Sequence, residues 1–140
     1  MRGLVTVVAA KSFAEVAEGV KATIAAYVLA LDDGRTDDVL ATFCSDGSAD
    51  IPGLGSHRGH EELRAAYDAV KPQAPQRHLV LNTLVTEWSD HEAKATSDVL
   101  FLMPMAGRWS VLLVGRYTDE LHCKDDAWRF HSRKAEWLET

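Results

Sequence analysis

Arg77-His78-Leu79-Val80-Leu81-Asn82 opens the first long β-type run of the chain and sets an imidazole at its start. Alternate residues of a strand share a face. On strict alternation His78, Val80, Asn82 and Leu84 point one way, and Leu79, Leu81, Thr83 and Val85 the other. Both sets are largely apolar, so the strand reads as covered on both sides. The first set also carries an imidazole and an amide, and buried polar groups need partners. The partner this reading assigns to His78 is Asp32, at the end of the first helix.

Downstream of this stretch everything reads as strand. Residues 77–88 form the first run, 93–103 the second, 109–122 the third and 127–138 the last. Ser89-Asp90-His91, Pro104 with Gly107, and Lys124-Asp125-Asp126 separate them, as turns separate the strands of a meander. Upstream, Ser12 with Glu15 three residues on reads as a capping box. Val16, Val20, Ile24, Tyr27, Val28 and Leu31 then recur at helical spacing, and Asp32-Asp33-Gly34 ends the helix. Asp32 lies about 140° around from Tyr27, bordering the apolar face. Thr36 caps a short helix over 37–43. Residues 44–53 read as a turn and a short strand, and Gly53, Gly55 and Gly59 as an irregular loop. A third helix over 59–70 carries Leu63, Ala66, Tyr67 and Val70 on one stripe, stopped by Pro72 and Pro75.

Helices first and an antiparallel sheet after them predict an α+β fold. A long curved sheet must cover its inner face, and three N-terminal helices are available. The expected form is a cone-shaped half-barrel whose mouth takes a ligand. The length suits one domain over 1–140, with 1–12 as an N-terminal arm. A net charge of −6 with scattered basic residues argues against nucleic acid. No apolar run reaches membrane-spanning length. Cys44 and Cys123 lack metal-site spacing and read as free thiols of a reducing compartment. The N-terminal apolar run is shorter than a signal h-region, and the expected location is cytoplasmic.

Several segments together carry a family resemblance. They are Tyr27 with Leu29-Ala30-Leu31-Asp32, Gly53-Leu54-Gly55 with Arg58-Gly59, Arg77 to Asn82, Tyr117-Thr118-Asp119-Glu120, and Trp128-Arg129-Phe130 with Arg133. In that order they resemble the SnoaL-like branch of the nuclear transport factor 2-like superfamily, over about 16–137. Within it the pattern is similar to hexachlorocyclohexane dehydrochlorinase, bile acid 7α-dehydratase and scytalone dehydratase. The resemblance implies an Asp-His dyad of Asp32 and His78, a pocket tyrosine at Tyr27 and an arginine at Arg133 that stabilises a leaving anion. It implies that Asn82 belongs to the histidine motif, and it implies no cofactor. It selects Val99, Phe101, Met103, Leu113, Gly115 and Tyr117 as the inward lining. His131, on the same face as Arg133 by parity, has no counterpart and adds polarity to the pocket.

The shared reaction of such lyases removes a proton from carbon and expels a group from the neighbouring carbon. Imidazole titrates in the right range, about pH 6.5. A carboxylate on its second nitrogen fixes the tautomer and stabilises the imidazolium. Arg133 supplies permanent positive charge, and Tyr27 a hydroxyl donor. Plainer readings stand beside these. Spacing alone favours a core histidine at His78, satisfied by a carbonyl or by Asn82, whereas the family pattern favours the dyad. Asp32 also reads as a solvated helix-ending acid, Tyr27 equally as core, and Arg133 as the partner of Glu120. His57, His60, His91 and His122 read as surface residues, and no metal set is expected.

The functional expectation is therefore a lyase, dehydratase or isomerase acting on a small hydrophobic, ring-bearing molecule. The alternatives are a non-catalytic ligand-binding or assembly module, a polyketide cyclase, or an epoxide hydrolase. The last needs a further acid, for which Asp98 is the strand candidate, and parity points Asp98 outward. Apolar residues on the convex face, Trp88 and Trp109 among them, predict a homo-oligomer, a dimer or a trimer.

Overall fold

A computed structural model describes residues 10–140, and residues 1–9, most of the expected arm, lie outside the described part. Helix α1 spans Phe13–Asp32. Ser12 caps it, its Oγ accepting from the Glu15 backbone N–H at 3.1 Å. Lys11 just before it is held too, its backbone N–H donating to Asp90 Oδ1 at 3.0 Å. Val16, Val20, Ile24, Tyr27 and Val28 are buried along one face of α1, as the 3.6-residue period requires. The helix lies close on the sheet because Gly19 has no Cβ: one built there would meet the Trp128 ring at 2.3 Å. Thr23 adds a hydrogen bond of 2.7 Å from Oγ1 to the Trp128 carbonyl.

Helix α2 spans Thr36–Ala41 and α3 spans Gly59–Ala69. The strands are β1 (Phe43–Ile51), β2 (Gly55–Arg58), β3 (Arg77–Trp88), β4 (Glu92–Met105), β5 (Arg108–Lys124) and β6 (Ala127–Trp137). They form one sheet in the order β2-β1-β6-β5-β4-β3. The class is α+β: the helices pack on a curved, unclosed six-stranded sheet. Two turns are tighter than composition suggested. Asp125 and Asp126 both take positive φ, as do Ala106 and Gly107, the backbone that two-residue hairpins need.

Three differences from the expected chain bear on the site. The region read as a turn and a short strand is one nine-residue strand, β1, paired antiparallel to β2, which lies in the expected glycine loop, and parallel to β6. Thr36 does not cap α2 through its side chain; it is the first helical residue and Arg35 stands at the cap. The meander is also bulged, and each bulge reverses strand parity. In β3 the ladder shifts between Leu81 and Leu84, with Asn82 at φ 56. In β5 it skips Leu112, and in β6 it skips His131. A second shift in β3, between Val85 and Glu87, sets Trp88 opposite the buried Ala93, so Trp88 packs on Phe13 of α1 at 5.9 Å between ring centroids.

Candidate functional site

The edge position of β3 explains the join between Asp32 and His78. An edge strand leaves backbone N–H groups without a ladder partner. At the start of β3 the end of α1 supplies one: Asp32 Oδ2 accepts the His78 backbone N–H at 2.7 Å. Asp32 Oδ1 accepts from His78 Nδ1 at 2.7 Å and from Gln76 Nε2 at 3.1 Å. The carboxylate is therefore bound on both oxygens, and only 5% of its side chain is exposed. Such bonds to an ionised acceptor are the stronger kind. They fix the imidazole with Nδ1 turned to Asp32 and leave Nε2 for what lies beyond. The His78 ring also packs on Phe101, at 4.7 Å between centroids.

Beyond it is a cavity of about 250 Å³ in the mouth of the cone. His78, Tyr27, Phe101, Leu113 and Tyr117 line it, and so do Tyr67, Gln76, Trp137, Leu31, Ile51 and Leu54. The second group was not singled out in the sequence. Tyr67 is legible in the sequence only as part of the α3 apolar stripe, Ile51 ends β1, and Leu54 lies in the turn that follows it. The walls are mainly apolar. Their polar groups are the imidazole, the Gln76 amide and three phenols.

All three tyrosines of the chain meet here. Tyr27 and Tyr67 share a hydroxyl–hydroxyl bond of 2.7 Å. Burial pushes the Tyr27 phenol well above its ordinary value, with the neighbouring Tyr67 adding to the shift and Arg133 opposing it. Tyr67 and Tyr117 are raised in the same way, burial first. All three therefore remain hydroxyl donors at any physiological pH. An unfolded tyrosine ionises near pH 10, while the folded ones keep their protons. Above that pH the unfolded state binds fewer protons, so stability falls as pH rises. An alkaline titration is expected to show no tyrosinate absorbance near pH 10, and then a cooperative rise coinciding with unfolding followed by circular dichroism. A gradual titration centred near 10 in folded protein would contradict this burial.

The remaining expected site residues lie elsewhere, and bulges account for Asn82 and His131. Asn82 does not enter the cavity. Its bulge turns it outward, where Nδ2 donates to Asp98 Oδ2 at 2.8 Å. Thr83 takes the inward place and meets Ser97, Oγ1 to Oγ at 2.9 Å. Asp98 faces outward with Asn82 and is also held by Arg116 Nη2 at 3.0 Å. His131 is not on the face of Arg133, because the β6 bulge lies at His131. Its ring stacks on His122 at 4.3 Å, away from the cavity. Val99 is fully buried in the core and does not line the cavity. Met103 pairs with Ser110 beyond the cavity. The space Gly115 leaves is filled by Trp137, whose ring a Cβ at 115 would meet at 2.3 Å.

Arg133 needs the fullest correction. It does not open into the cavity, and its side chain is 0% exposed. Its partner is Asp119, directly across the β5–β6 ladder, and not Glu120. Nε donates to Oδ1 at 2.9 Å and Nη2 to Oδ2 at 3.2 Å. The guanidinium lies 3.6 Å from the Tyr117 ring centroid and 4.4 Å from those of Tyr27 and Phe130. Arg133 thus sits behind the phenols that line the cavity and reaches a ligand only through them.

Among the described residues, no helix is long and apolar enough to cross a membrane. The SnoaL-like domain family matches residues 13–134. No curated protein matches the chain. Solved structures with the same fold include a protein of unknown function from Mycobacterium tuberculosis, at 25% identity and a TM-score of 0.80, covering 88% of this chain and 72% of that one. A nuclear transport factor 2-like protein with a cystatin-like fold from Novosphingobium aromaticivorans matches at 19% identity and a TM-score of 0.77, covering 87% and 81%. A hexachlorocyclohexane dehydrochlorinase from Novosphingobium barchaimii matches at 17% identity and a TM-score of 0.73, covering 87% and 86%. The family match spans most of the chain and the architecture agrees with it: this protein belongs to the SnoaL-like domain family.

Proposed function

We propose that the chain is a lyase or dehydratase for a small ring-bearing molecule, with His78 as the base and Asp32 as its orienting carboxylate. The observation that carries this reading is the 2.7 Å bond from His78 Nδ1 to Asp32 Oδ1 at the wall of an apolar cavity. With Nδ1 committed, Nε2 takes a proton from a substrate carbon. Asp32 then stabilises the imidazolium. The departing hydroxyl or halide, or a carbonyl that takes up the carbanion charge, is met by phenol donors of Tyr27, Tyr67 and Tyr117. Arg133 adds positive charge behind those rings, as a positioning residue without contact to the ligand. Proton transfer of this kind contributes about 10²–10⁴-fold.

The cavity volume bears on the ligand. An apolar space of roughly 150 Å³ admits benzene. About 250 Å³ therefore suits one substituted ring better than a fused steroid. The Novosphingobium barchaimii neighbour is a hexachlorocyclohexane dehydrochlorinase, and elimination of that kind is chemistry of the same class. The test is a set of single-ring compounds with a hydroxyl or halide β to an acidic C–H, incubated in D2O and followed by proton NMR. Loss of the C–H signal with release of the group supports the lyase reading. Exchange without release points to an isomerase or cyclase. Binding that shifts the His78 ring resonances with no exchange would put the ligand-binding module first.

The outer face of the sheet supports a second proposal. Leu79, Leu100 and Val114 form one row across β3, β4 and β5, with Val111 beside them. Leu79 is 44% exposed, Val111 52% and Trp109 53%. We propose that this face seats another copy of the chain, since an apolar patch left in water is costly. Sedimentation at micromolar concentration is expected to show an oligomer that Leu79→Lys with Val111→Lys dissociates. A wild-type monomer would exclude it.

A further inference from the structure

Cys44, His131 and His122 lie on three neighbouring strands, β1, β6 and β5. One potential ligand atom from each falls within 4.8 Å of the others. No sequence spacing announces them, because Cys44 lies far along the chain from the two histidines. What assembles them is the β6 bulge. It places His131 beside His122 on the sheet face opposite Phe43, Leu121 and Phe130, all of which point into the core.

We propose that these three side chains bind a divalent transition metal of the zinc class. A thiolate with two imidazoles is a characteristic donor set for such ions, and a fourth position stays open to water. Tetrahedral bonds of about 2.0–2.3 Å set ligand atoms roughly 3.3–3.8 Å apart, so the cluster need contract by only about 1 Å. An independent observation points the same way. His131 Nδ1 is buried and has no hydrogen-bond partner among the described residues. Buried polar atoms are rarely left so, and a bound ion is one of the things that satisfies them. Two carboxylates stand close by, with Glu120 Oε1 3.5 Å and Glu92 Oε1 3.9 Å from His122 Nε2. Their charge favours a cation. Cys44 and His122 line a groove of about 730 Å³, which gives an ion a way in. That groove shares no lining residue with the cavity at His78.

The site must rearrange to take an ion: Cys44 Sγ gives up its hydrogen bond to the Arg129 carbonyl, at 3.7 Å, and the histidine stack opens. The two imidazole planes are within 9° of parallel, and a metal must lie in the plane of each ring that binds it. One ring therefore swings out of the stack when the ion enters. Cys44 binds as thiolate and gives its proton to solvent. The bound ion would tie β1 to β6 and β5 and hold the bulge that turns Arg133 into the core.

The experiment is a Co²⁺ titration of the reduced, chelator-stripped full chain. Expected is one equivalent bound, with a thiolate-to-cobalt charge-transfer band that Zn²⁺ abolishes. Cys44→Ser removes the band, His131→Ala weakens binding at least tenfold, and Cys123→Ser leaves both unchanged. If Cys44→Ser fails to fold, alkylation of the wild type decides: Zn²⁺ protects Cys44 and not Cys123. No stoichiometric binding, a band that survives Cys44→Ser, or equal alkylation of the two thiols with and without Zn²⁺ would overturn the proposal.

Discussion

Asp32→Asn is expected to lower turnover by about 10²–10⁴-fold while leaving the fold intact and ligand affinity within a few-fold. Asp32 faces three donors: Gln76 Nε2, the His78 backbone N–H and His78 Nδ1. A carboxylate accepts from all of them, whereas an asparagine offers one oxygen and a donating NH2. The backbone N–H cannot become an acceptor, so the oxygen must stay on it. The NH2 is then forced toward the ring. The ring can meet it only by accepting at Nδ1, which moves the imidazole proton to Nε2. That is the nitrogen proposed to take the substrate proton, so the base is lost although every atom remains nearly in place. His78→Gln should cost at least as much. Rates on whichever compound the ring-compound screen identifies test this, with nitrogen NMR of the His78 ring as the second reading. A variant that turns over at the wild-type rate would remove the dyad from the mechanism.

The same pair shows what the sequence could and could not tell. The end of α1 and the start of β3 were both legible, from the Ser12 cap, the apolar period and the turn at Asp32-Asp33-Gly34. The 2.7 Å join of Asp32 to His78 follows from those two boundaries and from β3 being an edge. What parity arguments missed were the bulges. An inserted residue costs no change in composition, so nothing near His131 announces that 131 and 132 both fall between inward Phe130 and inward Arg133. Asn82 carried a faint signal, since Asn tolerates the left-handed backbone, yet its flanking residues alternate as a plain strand would. β1 starts earlier than the short strand expected there, for another reason. Its Cys-Ser-Asp-Gly-Ser composition reads as a turn, and parallel pairing with a strand more than eighty residues away overrides that local preference.

Asp119→Ala is expected to destabilise the protein by about 3–5 kcal/mol, a large part of the roughly 5–15 kcal/mol that holds a domain folded. Both side chains of the Asp119–Arg133 pair are 0% exposed. Burial pushes the Asp119 carboxyl up, while the adjacent guanidinium pulls it back toward ionisation. Removing the acid leaves a cation in the core that cannot shed its proton, with only the Tyr27, Tyr117 and Phe130 rings against it. Desolvated cation–π contacts are worth about 2 kcal/mol or more, but they leave the guanidinium without the two charge-assisted hydrogen bonds of the carboxylate. Replacing both partners, Asp119→Leu with Arg133→Met, should recover most of the loss, because the desolvation cost goes with the charges. Urea unfolding free energies of Asp119→Leu, Arg133→Met and the double variant give the coupling. The double variant also separates two roles. If Arg133 serves the phenols that line the cavity, the refolded double variant stays slow. If the pair only holds β5 against β6, activity returns with stability. A single Asp119→Ala variant as stable as wild type would mean that the guanidinium finds water or another acceptor, and that the pair does not hold the core.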